Sequence, residues 1–218
     1  LFARLVPAEA EPPAQRKRSS AIALAPGQLA RVLVVMTVAS ATAGLLFNLT
    51  TNGNGQFLAE RLDGIVTDPA ALGLLLAGVY AVSSVSQVVV GRLLDRVPLK
   101  RLQLGIVLLQ APLLAAASVA QGWWLYAALL GVMVLIFGAI PFTDAVIVRY
   151  VDDHMRSRVA GLRLTLSLGF SSLAVWALGP VVKSAGFGTL FLWMAGISLV
   201  TAATLLAMPG EPQRATAA

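Results

Sequence analysis

Asn48, Gln87 and Asp144 each lie within or at the edge of a long apolar run, in surroundings that cannot solvate an amide or a carboxylate. Such groups need a polar partner or water, so each is a candidate either for contact with a polar solute or for pairing between helices. Around them, small and polar residues recur every three or four positions, the spacing that places side chains on one face of a helix. Thr37, Ser40, Gly44, Asn48, Thr51 and Asn52 form one such stripe, running into Asn52-Gly53-Asn54-Gly55. Tyr80, Ser84, Gln87 and Gly91 form a second, and Arg163, Ser167, Ser171 and Ala174 a third. Asn48, Asn52, Tyr80, Ser84, Gln87 and Ser167 are accordingly the candidates for lining a solute pathway. Small and hydroxyl residues also allow close helix packing, with Ser and Thr bonding back to their own helix. That second reading is preferred for Ser40, Gly44, Ser83, Gly131 and Gly138.

Asp144 carries the largest energetic demand. A carboxylate at the centre of a membrane span costs roughly 2.5–3.5 kcal/mol, and less toward its ends. Arg149 follows about 8 Å along the helix, which places Asp144 just inside the boundary. Arg163 has a matching depth on the next helix, so an Asp144–Arg163 pair is expected to hold two helix ends in register. Separate snorkelling of both side chains to water is the alternative.

The elements that must position these residues follow from composition. With 58% hydrophobic residues, 12% charged and a mean hydropathy of +0.83, the chain has too little polar surface to cover a water-soluble globule. Long continuous apolar runs, without the short alternation of barrel strands, predict an all-α polytopic membrane protein. Six transmembrane helices are expected, over residues 29–50, 70–90, 102–120, 123–148, 161–182 and 189–208, within a domain spanning residues 29–208. The net charge of +6 is spread over loops beside apolar segments, which argues for membrane topology and against nucleic acid. Without cysteine, and with His154 as the single histidine, neither disulfides nor a thiolate or histidine-cluster metal site can form, and no cofactor is expected.

Arginine and lysine set the orientation. Arg16, Lys17, Arg18 and Arg31 precede the first helix, Arg92, Arg96, Lys100 and Arg101 follow the second, and Arg149, Arg156, Arg158 and Arg163 lie around the end of the fourth and the start of the fifth. The alternate loops hold only Arg61 and Lys183. The positive-inside rule puts both termini in the cytoplasm, with the protein multi-pass in the cell (inner) membrane. Trp123, Trp124 and Tyr126, at an uncharged outer turn, read as interfacial anchors. Residues 1–28, rich in Pro, Ala and charge, read as a flexible cytoplasmic linker, and residues 209–218 as a cytoplasmic tail. The opening Leu1–Val6 stretch is too short for a signal-peptide core and could close a preceding span.

The turn from Gly91 to Arg101 joins two apolar runs so tightly that they must be antiparallel neighbours. Gly91 would permit close packing, Asp95 would accept backbone amide bonds or meet a helix N-terminus, Pro98 would start the third helix, and the basic residues hold the turn on the cytoplasmic side. The pattern Gly-x-Leu-x-Asp-Arg-x-x-x-Lys-Arg resembles the loop motif of the major facilitator superfamily of secondary transporters. The family version usually has Gly where Val97 and Pro98 stand, so this turn is stiffer. Ala177-Leu178-Gly179-Pro180 only loosely matches the family's antiporter motif. The resemblance implies the C-terminal six-helix half of a twelve-helix transporter, built as a three-plus-three inverted repeat and rocking around a midplane site. Its partners would be the lipid bilayer, a missing N-terminal six-helix half and a small-molecule substrate. Gly91, Asp95, Arg96, Lys100 and Arg101 would form a latch, with Asp144 and Arg163 as gating residues. The fourth helix is interrupted by Gly138 and Pro141, and the first and fourth helices are expected to end in Asn-Gly-Asn-Gly and in Pro141-Phe142-Thr143-Asp144, breaks at C-terminal ends on opposite sides of the membrane. No mid-span acidic residue offers itself as a proton carrier, and this chain alone is expected to insert but not to transport.

Other classes fit less well. A rhomboid-like intramembrane enzyme wants a Gly-x-Ser-Gly serine and a later intramembrane histidine. Gly169-Phe170-Ser171-Ser172 lacks the final glycine, and His154 precedes it in a charged loop. The paired Asn-Pro-Ala half-helices of certain channels and the coupling-helix motif of an importer's membrane subunit do not occur.

Overall fold

A computed structural model describes residues 26–151 and 153–208. The expected linker over residues 1–25, including Arg16, Lys17 and Arg18, and the tail over residues 209–218 lie outside the described residues. All regular secondary structure described is helical: α1 (Pro26–Arg61), α2 (Pro69–Leu94), α3 (Leu99–Val119), α4 (Gly122–Gly138), α5 (Ile140–Tyr150) and α6 (Asp153–Leu206). Five helical stretches, with α4 and α5 taken together, are long and apolar enough to cross a bilayer, as a multi-pass membrane protein requires.

The first helix departs from expectation. It does not break at Asn52-Gly53-Asn54-Gly55 but runs 36 residues to Arg61. Asn52 Nδ2 bonds back to the Asn48 carbonyl at 2.9 Å, and Gly53 faces Phe187 and Leu178, 3.5–3.6 Å from where a Cβ would stand. Packing and local bonding here override the weak helix preference of Asn and Gly. The chain turns after Arg61 at Gly64, whose φ of 75° suits a residue without Cβ, and Asp68 then caps α2 by accepting from the amides of Ala70 and Ala71. Pro98 occupies the N-cap of α3, as expected.

The expected fourth helix is interrupted where its sequence indicates. α4 ends at Gly138 and α5 resumes at Ile140, because Pro141 has no N–H to return to the Phe137 carbonyl. The expected fifth and sixth helices are joined as α6, 54 residues long with a non-helical residue inside at Gly186 (φ 76°, ψ 166°). A straight helix of that length would reach roughly 80 Å, more than twice a hydrocarbon core.

Contacts with α1 define the two arms of α6. Gly44 lies against Ser167 and Gly53 against Leu178, so the arm before Gly186 runs parallel to α1. Phe57 stacks on Phe191 with ring centroids 4.4 Å apart, and Thr201 Oγ1 donates to Thr42 Oγ1 at 2.9 Å, so the arm after Gly186 runs antiparallel. The second arm also lies along α3, with Gly188 against the Ser118 carbonyl at one end and Lys100 bonded to the Leu206 carbonyl at the other.

Two apolar cores follow. One holds Leu49, Phe57, Leu114, Leu129, Phe187 and Met194, the other Val32, Leu99, Phe142, Tyr150 and Leu205. Elsewhere, large apolar side chains stand exposed, among them Val82, Val85 and Val88 on α2 and Leu162, Leu168 and Leu173 on α6. This surface is stable against acyl chains or another apolar body, not against water.

Candidate functional site: a polar seam beside a basic helix end

Asn48 stands where α1 crosses the first arm of α6. Its Nδ2 donates to the Gly44 carbonyl at 2.9 Å and to Ser171 Oγ at 2.8 Å. Close approach here depends on glycine, since a Cβ at Gly44 would stand 2.9 Å from Ser167 Oγ. Two of the stripes read from the sequence, on α1 and on α6, thus meet. Asn52 is exposed one turn beyond.

The second stripe divides. Tyr80 is half-buried, accepts from Asn54 Nδ2 at 3.4 Å and donates to the Thr51 carbonyl at 3.3 Å, with Phe137 stacked at 6.0 Å. Ser84 is exposed and its Oγ returns to the Ala81 carbonyl, while Gln87 is half-buried. The buried stripe of α2 consists of Val79, Ser83 and Ser86 instead, and Ser86 and Val90 lie against Gly138. Packing also accounts for Gly131, which faces Leu113, and Ser83, whose Oγ bonds back to the Val79 carbonyl.

The residues expected to form a latch gather at one end of the bundle. Lys100 Nζ donates to the Leu206 carbonyl at 3.0 Å and also to that of Met208, and Arg149 Nη2 donates to the Leu94 carbonyl. These cations satisfy carbonyls left open at the ends of α6 and α2 and face the negative end of each helix dipole. Asp95 is the exposed C-cap of α2, where the helix dipole opposes its charge. Arg96 and Arg101 are exposed. Among the described residues, a Cβ at Gly91 would meet nothing within 4 Å. Arg163 Nη1 stands 3.3 Å from Asp144 Oδ1, with the aspartate side chain 77% exposed.

Further polar groups escaped the sequence reading. Asn54, 1% exposed, bonds Tyr80 and Met133 Sδ, yet Asn-Gly-Asn-Gly reads locally as a break. Gln103 and Gln110 on α3 and Ser198 and Thr201 on α6 are buried around a cavity of about 20 Å³ that Thr42 also lines. The seven-residue spacing of the two glutamines was the available signal. Arg61, at the opposite end, donates from Nη2 to the Ser118 carbonyl at 3.4 Å and lies 5.7 Å from the Phe57 ring centroid. Trp123 and Trp124 are exposed, whereas the Tyr126 hydroxyl donates to the Leu75 carbonyl of α2.

The seam places hydrogen-bonding groups between helices, Asn48 against Ser171 and Asn54 against Tyr80. The serine and histidine weighed for an intramembrane enzyme are not brought together. Ser171 accepts from Asn48, and His154 lies 17 positions earlier on the same arm, roughly 25 Å away along a helix. Compared with models of known protein families and with curated proteins, the sequence matches none.

Proposed function

We propose that the chain forms six membrane crossings and acts as one half of a secondary transporter of the major facilitator type, moving a small solute by alternating access. α1, α2 and α3 would be the first three crossings, α4 with α5 the fourth, and the two arms of α6 the fifth and sixth.

The carrying observation is a pattern in which helices touch. Exchange the first crossing with the fourth, the second with the fifth and the third with the sixth. The contact of α2 with α4 then becomes that of the first arm with α1. The contact of α3 with α4 becomes that of the second arm with α1, and the contact of α3 with the second arm maps onto itself. Each of these contacts is present. An inverted repeat of three-helix units generates such a pattern, and a bundle assembled without symmetry has no reason to. The basic helix end would face the cytoplasm, and the seam of Asn48, Tyr80, Ser167 and Ser171 would border the pathway. The apolar face of α2 and of the first arm supports a second six-helix half or lipid as its partner.

The chain has no cysteine, so single-cysteine labelling tests this reading cleanly. In liposomes, cysteines at Asn48, Gln87 and Ser167 are expected to react with a membrane-impermeant maleimide at least tenfold faster than cysteines at Val85 or Leu173. Cysteines at Arg101 and Lys183 should label from opposite faces. Equal reactivity of pathway and lipid-facing positions, or labelling of Arg101 and Lys183 from the same face, would overturn it.

A further inference from the structure

A second cavity lies nearer the basic end, between α1, α5 and the first arm of α6, with a volume of about 130 Å³. Met36, Ile147, Leu162 and Leu166 supply apolar wall, and among the described residues Arg163 is the one charged residue lining it. Ser40 adds a hydroxyl, while the neighbouring Thr37 hydroxyl is already bonded to the Leu33 carbonyl at 2.8 Å.

Arg163 is poorly matched to a purely structural role. Its Nη1 is buried and has no hydrogen-bond partner among the described residues, because the 3.3 Å approach of Asp144 lacks hydrogen-bond alignment. Asp144 itself points largely to the outside, and an ion pair so exposed is weak. A guanidinium that lines an apolar cleft and is paired with a largely exposed carboxylate has demand for a further, anionic acceptor. A cation or a neutral sugar would leave that demand in place. A small hydrophilic anion would leave the apolar wall unused.

We propose that this cleft holds an anionic amphiphile, a single negatively charged head on an apolar chain, with the head on Arg163 and Ser40 and the chain along Met36, Ile147 and Leu166. A cavity of about 150 Å³ accommodates a benzene-sized body, so the cleft takes a carboxylate or phosphate-like head with the first few carbons. Binding competes with Asp144 for the guanidinium, and an occupied cleft therefore loosens the tie between α5 and the first arm. The proposal requires binding alone and stands or falls separately from transport.

The test uses the chain in phosphatidylcholine liposomes with dodecanoate carrying a photoreactive diazirine, and with the matching alcohol. Illumination followed by peptide mapping is expected to place the acid on peptides covering residues 33–40 and 159–166, at least tenfold more heavily than the alcohol. Arg163→Gln should reduce labelling by the acid to the level of the alcohol. Asp144→Asn should increase it roughly 1.5- to fivefold, the equilibrium equivalent of removing a weak competing ion pair. A guanidinium that only ties helices together predicts the opposite sign for that substitution. Should Arg163→Gln fail to fold, Ser40→Leu closes the cleft from α1 and must lower labelling by the acid. Adding phosphatidylglycerol distinguishes the sources: competition identifies a lipid head as occupant, no competition a free acid, and either supports the site. Equal labelling by acid and alcohol, or weaker labelling after Asp144→Asn, would refute it.

Discussion

Gly188→Ala tests whether the second arm of α6 seats on α3. A Cβ at this position would stand 3.0 Å from the Ser118 carbonyl oxygen and 3.5 Å from Arg61 Nη2. The first neighbour is backbone in the last turn of α3, so it cannot rotate away. Overpacking of this kind costs about 1–3 kcal/mol. The Arg61 bond to the same carbonyl, already long at 3.4 Å, is weakened as well, adding about 1 kcal/mol. Against this, Ala in a helix gains at most about 1 kcal/mol over Gly. The net loss is about 1–3 kcal/mol, or roughly 5- to 150-fold in the unfolding constant. Gly196, on the same arm, provides the control: a Cβ there meets nothing within 4 Å, so Gly196→Ala is neutral or stabilising. Reversible unfolding in mixed dodecylmaltoside and dodecylsulfate micelles, followed by circular dichroism, measures both. If Gly188→Ala is as stable as Gly196→Ala, the second arm does not lie on α3 and the six-crossing arrangement loses its support.

Gly186→Ala should destabilise by about 1–3 kcal/mol in the same assay, because φ 76° with ψ 166° is a region that only glycine enters without strain. Asp95→Asn should stabilise the chain by about 0.3–1 kcal/mol, since it removes a charge that the C-terminal dipole of α2 opposes; a fall in the midpoint would mean that Asp95 has a favourable partner. Gln103→Met should also raise the midpoint, because Gln103 Oε1 is buried without a hydrogen-bond partner among the described residues, and such an acceptor costs about 1–3 kcal/mol. A double-mutant cycle of Asn48→Ala with Ser171→Ala should return a coupling of about 0.6 kcal/mol, the average for hydrogen bonds between membrane helices; zero coupling would remove Asn48 from the α1–α6 seam.

Apolar runs in the sequence locate α2, α3 and the α4–α5 pair to within a few residues, because span length is a property of the bilayer. The break at Pro141 was legible for an equally local reason: the missing N–H travels with the residue. Asn52 to Gly55 misled because helix propensity is a weak local preference, and the contacts that overrule it come from Phe187 and Leu178, more than a hundred residues away. The reversal at Gly186 coincides with a gap between apolar runs, yet the glycine's φ and ψ, not its neighbours' composition, mark the turn.

Charge and amide differ in how far the sequence reveals their partners. Asp144 and Arg163 could be matched by depth, because a charge within a span is tied to the boundary and only residues at similar depth can answer it. Asn48 could be given a face but not a partner, since a serine, a carbonyl or a solute can each accept its bond. Asn54 could be given neither while its segment was read as a break. The same reasoning explains why the cleft beside Arg163 was not visible in the sequence: depth assigns this arginine to Asp144, whereas the space it lines exists only once α1, α5 and the first arm are packed. A charged cleft of that kind is information carried by packing, and it is the point at which this fold and its chemistry meet.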